Sequence, residues 1–156
     1  MKNTSCCFTG HRDIVPQKLP LIKEKLINLI SDAIERGYTD FYNGAAIGFD
    51  LLAAEAVLEL KEKYPDIRLH IIVPCATQSS RWTADNRQKY ERVTACADEV
   101  KILSPFYFNG CMQVRNRYMV DASSLCIAYI ERNTGGSADT VKYAEKEGLE
   151  IINIAL

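Results

Sequence analysis

Short apolar runs rich in β-branched and aromatic residues alternate along this chain with longer segments of helical period. The runs predict six strands near residues 5–9, 40–43, 69–73, 99–103, 125–130 and 150–154. Between the first two, an apolar stripe at helical spacing predicts a helix that Gly37 ends; its members are Leu21, Ile22, Leu26, Leu29, Ile30, Ala33 and Ile34. Four further helices are predicted over 50–64, 83–96, 112–122 and 137–147.

Strict alternation of strands and helices is typical of βαβ units, whose right-handed crossovers require a parallel sheet with helices on both faces. The sequence therefore predicts a Rossmann-like, three-layer α/β/α fold with a mainly parallel sheet. No linker or repeat divides the chain, so we expect a single domain over 1–156. In such folds ligands bind outside the carboxyl ends of the strands, which makes the strand-to-helix loops the place to search.

Composition narrows the expected partners. Nineteen basic and twenty acidic side chains leave a net charge of −1, so no overall field favours nucleic acid or an anionic membrane. A bound phosphate would have to be held locally. The sequence shows neither a signal peptide nor an apolar run of membrane-spanning length, and we expect a cytoplasmic protein with no membrane partner.

The six cysteines are scattered, and most lie in apolar strand or helix contexts. This distribution favours reduced core thiols over a disulfide framework. His11 and His70 are far apart, and adjacent Cys6 and Cys7 would point to opposite faces of a strand. We therefore expect no structural zinc.

The first two strands run into glycine-containing loops. In TGHR, Gly10 permits close backbone approach and Arg12 offers a fork suited to phosphate or carboxylate, although a tight turn with a solvated arginine is the alternative.

In NGAAIGFD, Gly44 and Gly48 enclose small residues that would let a ligand lie on the backbone. Asp50 begins the next helix, where it would cap that helix or contact a ribose hydroxyl. For His11, hydrogen bonds to neighbours are favoured over catalysis.

The last two loops carry further candidates. In NTGGSADT, Gly135 and Gly136 precede a helix with Thr140 in its first turns, a suitable seat for phosphate or ribose; the alternative is a serine-capped helix after a turn. After the fourth strand, aromatic residues 106–108 precede Arg115 and Asn116, which would reach a phosphate or sugar. GxGxxG and GxxxxGK[ST] motifs are both absent, as are recognisable catalytic triads. Spacing alone thus supports binding and not a reaction.

The segments TGHR, GAAIGFD, RWTADNRQKY, RNRYMVD and GGSADTVKYA, in this order, resemble the SLOG superfamily, named for the Smf/DprA and LOG proteins, and more closely its YpsA-like branch. The resemblance spans nearly the whole chain. It implies a Rossmann-like fold that binds nucleotides or their derivatives. Carried over position by position, it implies ligand contacts at Gly10, Arg12, Gly44, Gly48, Asp50, Arg115, Asn116, Gly135, Gly136 and Thr140.

LOG relatives cleave nucleoside 5'-monophosphates with a PGGxGTxxE motif, and the resemblance implies a carboxylate three residues after the motif threonine. This chain has Tyr143 at that position; Asp50 or Asp139 could substitute, although neither occupies the position of the motif carboxylate. The leading hypothesis is therefore binding or sensing of a nucleotide-type ligand such as ADP-ribose, NAD or a nucleoside monophosphate. A phosphoribohydrolase-like N-glycosidase is the second hypothesis. DprA-like DNA binding is the third, disfavoured by the neutral charge; a homo-oligomer stays open.

Overall fold

The computed structural model describes residues 1–155 and contains six strands and five α-helices. The strands are β1 (Ser5–Gly10), β2 (Asp40–Asn43), β3 (Arg68–Val73), β4 (Glu99–Ile102), β5 (Leu125–Tyr129) and β6 (Glu150–Asn153). The helices are α1 (Leu19–Glu35), α2 (Phe49–Lys61), α3 (Ala84–Cys96), α4 (Cys111–Asp121) and α5 (Gly136–Lys146). Every predicted element is present, and most boundaries agree within one or two residues.

The six strands form one parallel sheet in the order β4-β3-β2-β1-β5-β6. The chain builds outward from β1 to β4, then returns across the sheet so that β5 pairs with the other side of β1. Helices α1, α2 and α3 pack in sequence on one face, and α4 packs on α5 on the other. The predicted three-layer Rossmann-like fold is confirmed, and its strand order reverses between β1 and β5.

Two apolar cores enclose the sheet. Phe8, Phe41 and Phe49 are fully buried in the larger core beneath α1 and α2. Met119 and Cys126 belong to the smaller core beneath α4 and α5. Five of the six cysteines are buried free thiols, while Cys96 is exposed. Strand β4, in contrast, is exposed along its whole length, so the carboxyl edge near it is open to solvent.

One predicted boundary is wrong by three residues. Helix α2 ends at Lys61 although Pro65 was expected to be the stop. The amide of Lys63 bonds the carbonyl of Leu60 at 3.0 Å, a tight last turn that closes the helix before the proline. No helix within residues 1–155 is long and apolar enough to cross a membrane.

The close approach of Gly10 to α2 generates a stability prediction. A Cβ on Gly10 would lie 2.4 Å from the buried ring of Phe49, whereas a Cβ on Gly136 would meet nothing within 4 Å. We expect Gly10→Ala to lower the free energy of unfolding by about 1–3 kcal/mol through overpacking. Gly136→Ala should change it by less than roughly 0.5 kcal/mol. Urea unfolding of both variants tests this, and equal stabilities would contradict the packing.

Candidate functional site

The ten predicted ligand contacts occupy distinct places at the carboxyl edge of the sheet. Gly44, Asp50 and Arg115 form a buried cluster behind the ends of β2 and β3. A cleft of about 180 Å³ between α4 and α5, here called the α4–α5 cleft, is lined by Gln113, Asn116, Arg117, Gly136, Asp139, Thr140 and Tyr143. Gly135 directly precedes α5.

Arg12 and Gly48 lie elsewhere, in a cleft of about 200 Å³ that is also lined by residues of α1, α2 and α3. Gly10 ends β1, and its carbonyl accepts a 2.7 Å hydrogen bond from the hydroxyl of Ser137. The structure therefore does not bring all ten predicted residues into one site. It groups Asn116, Gly136 and Thr140 in the α4–α5 cleft and separates them from Arg12 and Gly48.

Arg115 projects from α4 into the protein with 4% of its surface exposed. Its Nη1 donates to the carbonyl of Gly44 at 2.8 Å and to that of Ile72 at 3.2 Å. Nη1 also lies 3.3 Å from Oε1 of Gln78. Within the described residues Arg115 forms no ion pair closer than 4.0 Å. Backbone carbonyls, and not a carboxylate, therefore hold this buried charge in place.

The two remaining nitrogens of the guanidinium bond different side chains of α4, Asn116 and Met112. Nε donates to Oδ1 of Asn116 at 2.8 Å, and Asn116 lines the α4–α5 cleft. Among residues 1–155, the one hydrogen-bond acceptor of Nη2 is the thioether of Met112, at 3.6 Å. Because a thioether is a weak acceptor, Nη2 is the least satisfied group of this guanidinium.

Gly44 is required by this packing. A Cβ on Gly44 would lie 2.4 Å from Nη1 of Arg115 and 2.9 Å from Oδ2 of Asp50. Asn43 fixes the loop between β2 and α2 that contains Gly44. Its side chain accepts a hydrogen bond from the Ala45 amide at 2.7 Å and donates one to the Asp50 carbonyl at 2.8 Å. Glycine here thus permits the close approach of the Arg115 side chain.

Burial dominates the electrostatics of Asp50. It raises the pKa of this carboxyl from 3.8 to about 6, against the charge of Arg115 and the amides of Ala46 and Gly44, which lower it. Burial likewise lowers the pKa of Arg115, and the charge of Asp50 opposes that shift. Asp50 is not the helix cap considered from sequence, because Gly48 occupies the N-cap of α2.

The amino end of α5 lacks a side-chain cap. Gly135 is the N-cap residue, with φ of 102°, and no side chain bonds the first amides. The serine cap considered from sequence is not formed, since the hydroxyl of Ser137 bonds Gly10 instead. Thr140 is buried, and its hydroxyl donates to the carbonyl of Gly136 at 2.9 Å, so its proton is already used within the helix. The first amides of α5 consequently stay available to an anion.

Other side chains near this edge have structural or unforeseen roles. The ring of His11 is buried, and its Nε2 accepts from the Glu131 amide at 2.8 Å, a hydrogen bond to a neighbour of the kind expected for it. Burial, with the nearby charge of Arg132, lowers the pKa of His11. Sequence reasoning missed Gln78, whose Nε2 donates to the Gly44 carbonyl at 3.1 Å. Neither a motif nor the spacing of neighbouring residues distinguishes this loop glutamine from a solvent-exposed one.

Arg117 was also absent from the predicted contacts, although helical spacing offered a signal. Two residues along a helix turn the side chain about 200° away, so an inward Arg115 implies that Arg117 faces elsewhere. Its guanidinium lies 4.9 Å from the ring centroid of Tyr143 on α5, at the α4–α5 cleft. Within residues 1–155 no three His, Cys, Asp or Glu side chains are grouped to hold a metal ion.

A family model described as the YspA SLOG family matches residues 7–155. The chain belongs to the YspA SLOG family. It is similar to the SPbeta prophage-derived protein YoqJ of Bacillus subtilis (strain 168), with 33% identity over 139 residues covering 80% of this chain and 81% of that one. A UPF0398 protein of Bacillus cereus (strain G9842) is 29% identical over 130 residues, covering 81% of this chain and 71% of its own.

Two solved structures share the fold of this SLOG chain. DNA processing protein A (DprA) of Streptococcus pneumoniae superposes with a TM-score of 0.68 at 17% identity, over 96% of this chain and 49% of that one. DprA of Helicobacter pylori, described for its single-stranded DNA binding mode, superposes with a TM-score of 0.66 at 20% identity, over 96% of this chain and 64% of that one. This SLOG chain thus spans about half to two thirds of the DprA proteins, and the likeness shows a shared fold.

The buried carboxyl of this SLOG chain leads to a pH prediction. Because the folded pKa of Asp50 lies above its unfolded value, the protonated form stabilises the fold, and that contribution is lost as pH rises from about 4 through about 6. We expect Asp50→Asn to gain stability relative to wild type over this interval, by up to about 3 kcal/mol. Chemical unfolding of both proteins at pH 4, 5, 6 and 7 measures the difference, and a constant difference would contradict the shift.

Proposed function

We propose that this SLOG chain binds a nucleotide-derived ligand through its phosphate in the α4–α5 cleft. The observation that carries the proposal is the convergence, beside the point where strand order reverses, of an uncapped helix end and an arginine that forms no salt bridge within residues 1–155. Gly136, the first residue of α5, and Arg117 line the same small cleft. The amide side chain of Asn116 lies there as well, held by Nε of Arg115.

Physical chemistry favours an anion at this place. The amides of the first turn of a helix lack intrahelical partners, and the helix dipole adds partial positive charge. Arg117 supplies a full charge and a planar fork that matches phosphate oxygens. Asp139 also borders the cleft, and both it and Arg117 are exposed, so water and salt screen the two opposite charges alike. The unpaired amides and the dipole of α5 therefore tip the cleft toward an anion.

The SLOG family membership supports a nucleotide over a simple anion. A cleft of about 180 Å³ is smaller than the few hundred Å³ typical of sites for whole small molecules. It suits a phosphate with part of a sugar, so the rest of the ligand would extend along the carboxyl edge. Ligands of this type include nucleoside monophosphates, ADP-ribose and NAD.

Binding of single-stranded nucleic acid is the second candidate, and two observations favour it. The fold is shared with H. pylori DprA, whose structure concerns single-stranded DNA binding. The loop after β4 exposes Phe106, Tyr107 and Phe108, by 75%, 65% and 45%, at the same edge of the sheet. Exposed aromatic rings stack on bases of single strands. The net charge of −1 argues against binding of nucleic acid, but an overall charge does not describe local cations such as Arg81 and Arg117.

The hydrolase hypothesis has weaker support at this cleft. Tyr143 stands where the LOG motif implies a carboxylate, and its hydroxyl donates to Asp121 at 2.7 Å. Asp50, the carboxyl with the raised pKa, does not border the cleft. The exposed Asp139 is thus the acid nearest to a bound phosphate.

Ligand-induced stabilisation tests the binding proposal. We expect AMP, ADP-ribose or NAD at millimolar concentration to raise the thermal midpoint of the wild-type chain, because a ligand that prefers the native state stabilises it. Arg117→Gln should weaken that ligand by roughly ten- to a hundredfold, the effect of losing one charged hydrogen bond. Arg92→Gln is the matched control, since Arg92 is an exposed arginine on α3 that pairs with Glu55.

The control should bind as wild type does. Absence of any midpoint shift across the panel would contradict nucleotide binding altogether. Equal affinities of Arg117→Gln and wild type would instead place the phosphate outside the α4–α5 cleft.

A second prediction concerns hydrolysis. Because Tyr143 replaces the carboxylate implied by the LOG motif, we expect no efficient release of ribose 5-phosphate from AMP. The measurement is chromatographic detection of ribose 5-phosphate and adenine after incubation of AMP with the purified protein. Turnover on the order of 1 per second, at the low end for enzymes, would contradict the hypothesis that the protein only binds nucleotides and would establish a phosphoribohydrolase.

A further inference from the structure

A third cleft, larger than the two described above, lies beside the buried guanidinium of Arg115. It has a volume of about 520 Å³, and we call it the Trp82 cleft. Its lining includes Cys75, Gln78, Arg81, Trp82, Tyr107 and Met112. This volume falls in the range of pockets that bind small organic ligands, whereas the α4–α5 cleft is too small for one.

The chemistry of the lining favours a flat, aromatic ligand. Trp82 is half-buried and packs edge-to-face on Tyr90, with ring centroids 5.4 Å apart, so the indole is held in place. Tyr107 is 65% exposed on the loop after β4, and Arg81 is an exposed arginine in the loop after β3. Indole, phenol and guanidinium groups all stack on planar heterocycles.

Arg115 connects this cleft to the α4–α5 cleft. Its Nη2 contacts Met112, which lines the Trp82 cleft, and its Nε bonds Asn116, which lines the α4–α5 cleft. Met112 and Asn116 are four residues apart on α4, about 6 Å along the helix axis. The two clefts are thus adjacent along one helix, with the buried cation between them.

We propose that the Trp82 cleft binds the base of the nucleotide whose phosphate occupies the α4–α5 cleft. In this arrangement the ring stacks against Trp82 and Tyr107, and the sugar crosses Met112. A ligand oxygen then replaces the thioether as the acceptor of the weakly satisfied Nη2 of Arg115. The inference rests on the function proposed above and extends it, because it assigns the nucleobase a separate site.

The chain carries its own probe of this cleft, because Trp82 is its single tryptophan. We expect AMP to change the emission of Trp82 saturably, as stacked bases do, and also to raise the thermal midpoint. Ribose 5-phosphate, which lacks the base, should raise the midpoint and leave the emission unchanged. A short single strand of five thymidylates distinguishes the two sources of a base: emission that responds to it but not to AMP identifies a nucleic acid strand as the ligand.

Two substitutions in one loop separate this site from general effects. Tyr107→Ala should weaken AMP, or the thymidylate strand if that is the ligand, by about tenfold, the loss of one stacking partner. It should leave ribose 5-phosphate binding unchanged. For AMP, which the cleft itself would hold, Phe106→Ala is the matched control, since Phe106 is 75% exposed and does not line the cleft.

The outcomes are distinguishable. A midpoint raised by AMP with unchanged Trp82 emission, and with Tyr107→Ala binding as wild type does, overturns the base site and leaves phosphate binding intact. If no ligand raises the midpoint or changes the emission, both the base site and the proposed function are overturned.

Discussion

The buried guanidinium of Arg115 is the interaction on which the arrangement of the carboxyl edge depends. A cation removed from water must keep its hydrogen-bond acceptors, and here the carbonyls of Gly44 and Ile72 supply them. Because these carbonyls belong to the ends of β2 and β3, one side chain fastens α4 to the edge where two strands stop. Removing it would leave two desolvated carbonyls without this donor.

Several local features follow from that contact. Gly44 has no room for a side chain, since a Cβ would collide with Nη1. Gln78 lies against both the guanidinium and the Gly44 carbonyl, which ties the loop after β3 to the loop after β2. With Arg115 directed inward, α4 contributes Gln113, Asn116 and Arg117 to the α4–α5 cleft. It contributes Met112 to the neighbouring Trp82 cleft. A single helix therefore contributes to two clefts.

The two clefts differ in the chemistry they offer. The α4–α5 cleft is small, is lined by Arg117 and Asp139, and lies at the uncapped first turn of α5, the end of a helix that favours oxygen anions. The Trp82 cleft is larger and presents aromatic rings, a combination suited to planar apolar groups. The fold shared with the DprA proteins does not choose between the two proposed ligands, a free nucleotide and a strand, because base, sugar and phosphate are common to both. The residues of the two clefts, and not the fold, decide between them.

Local patterns in the sequence determined the elements of this protein and their class. Alternating apolar runs and helical stripes predicted six parallel strands and five helices, because burial of one face imposes a period on each element. The same reasoning ranked loops by their glycines but did not assign them to clefts. Only the tertiary structure separated Arg12 and Gly48 from Asn116 and Gly136, turned Ser137 toward Gly10, and added Gln78. Those relations depend on strand order and on which helix lies on which face, which contacts distant in sequence decide.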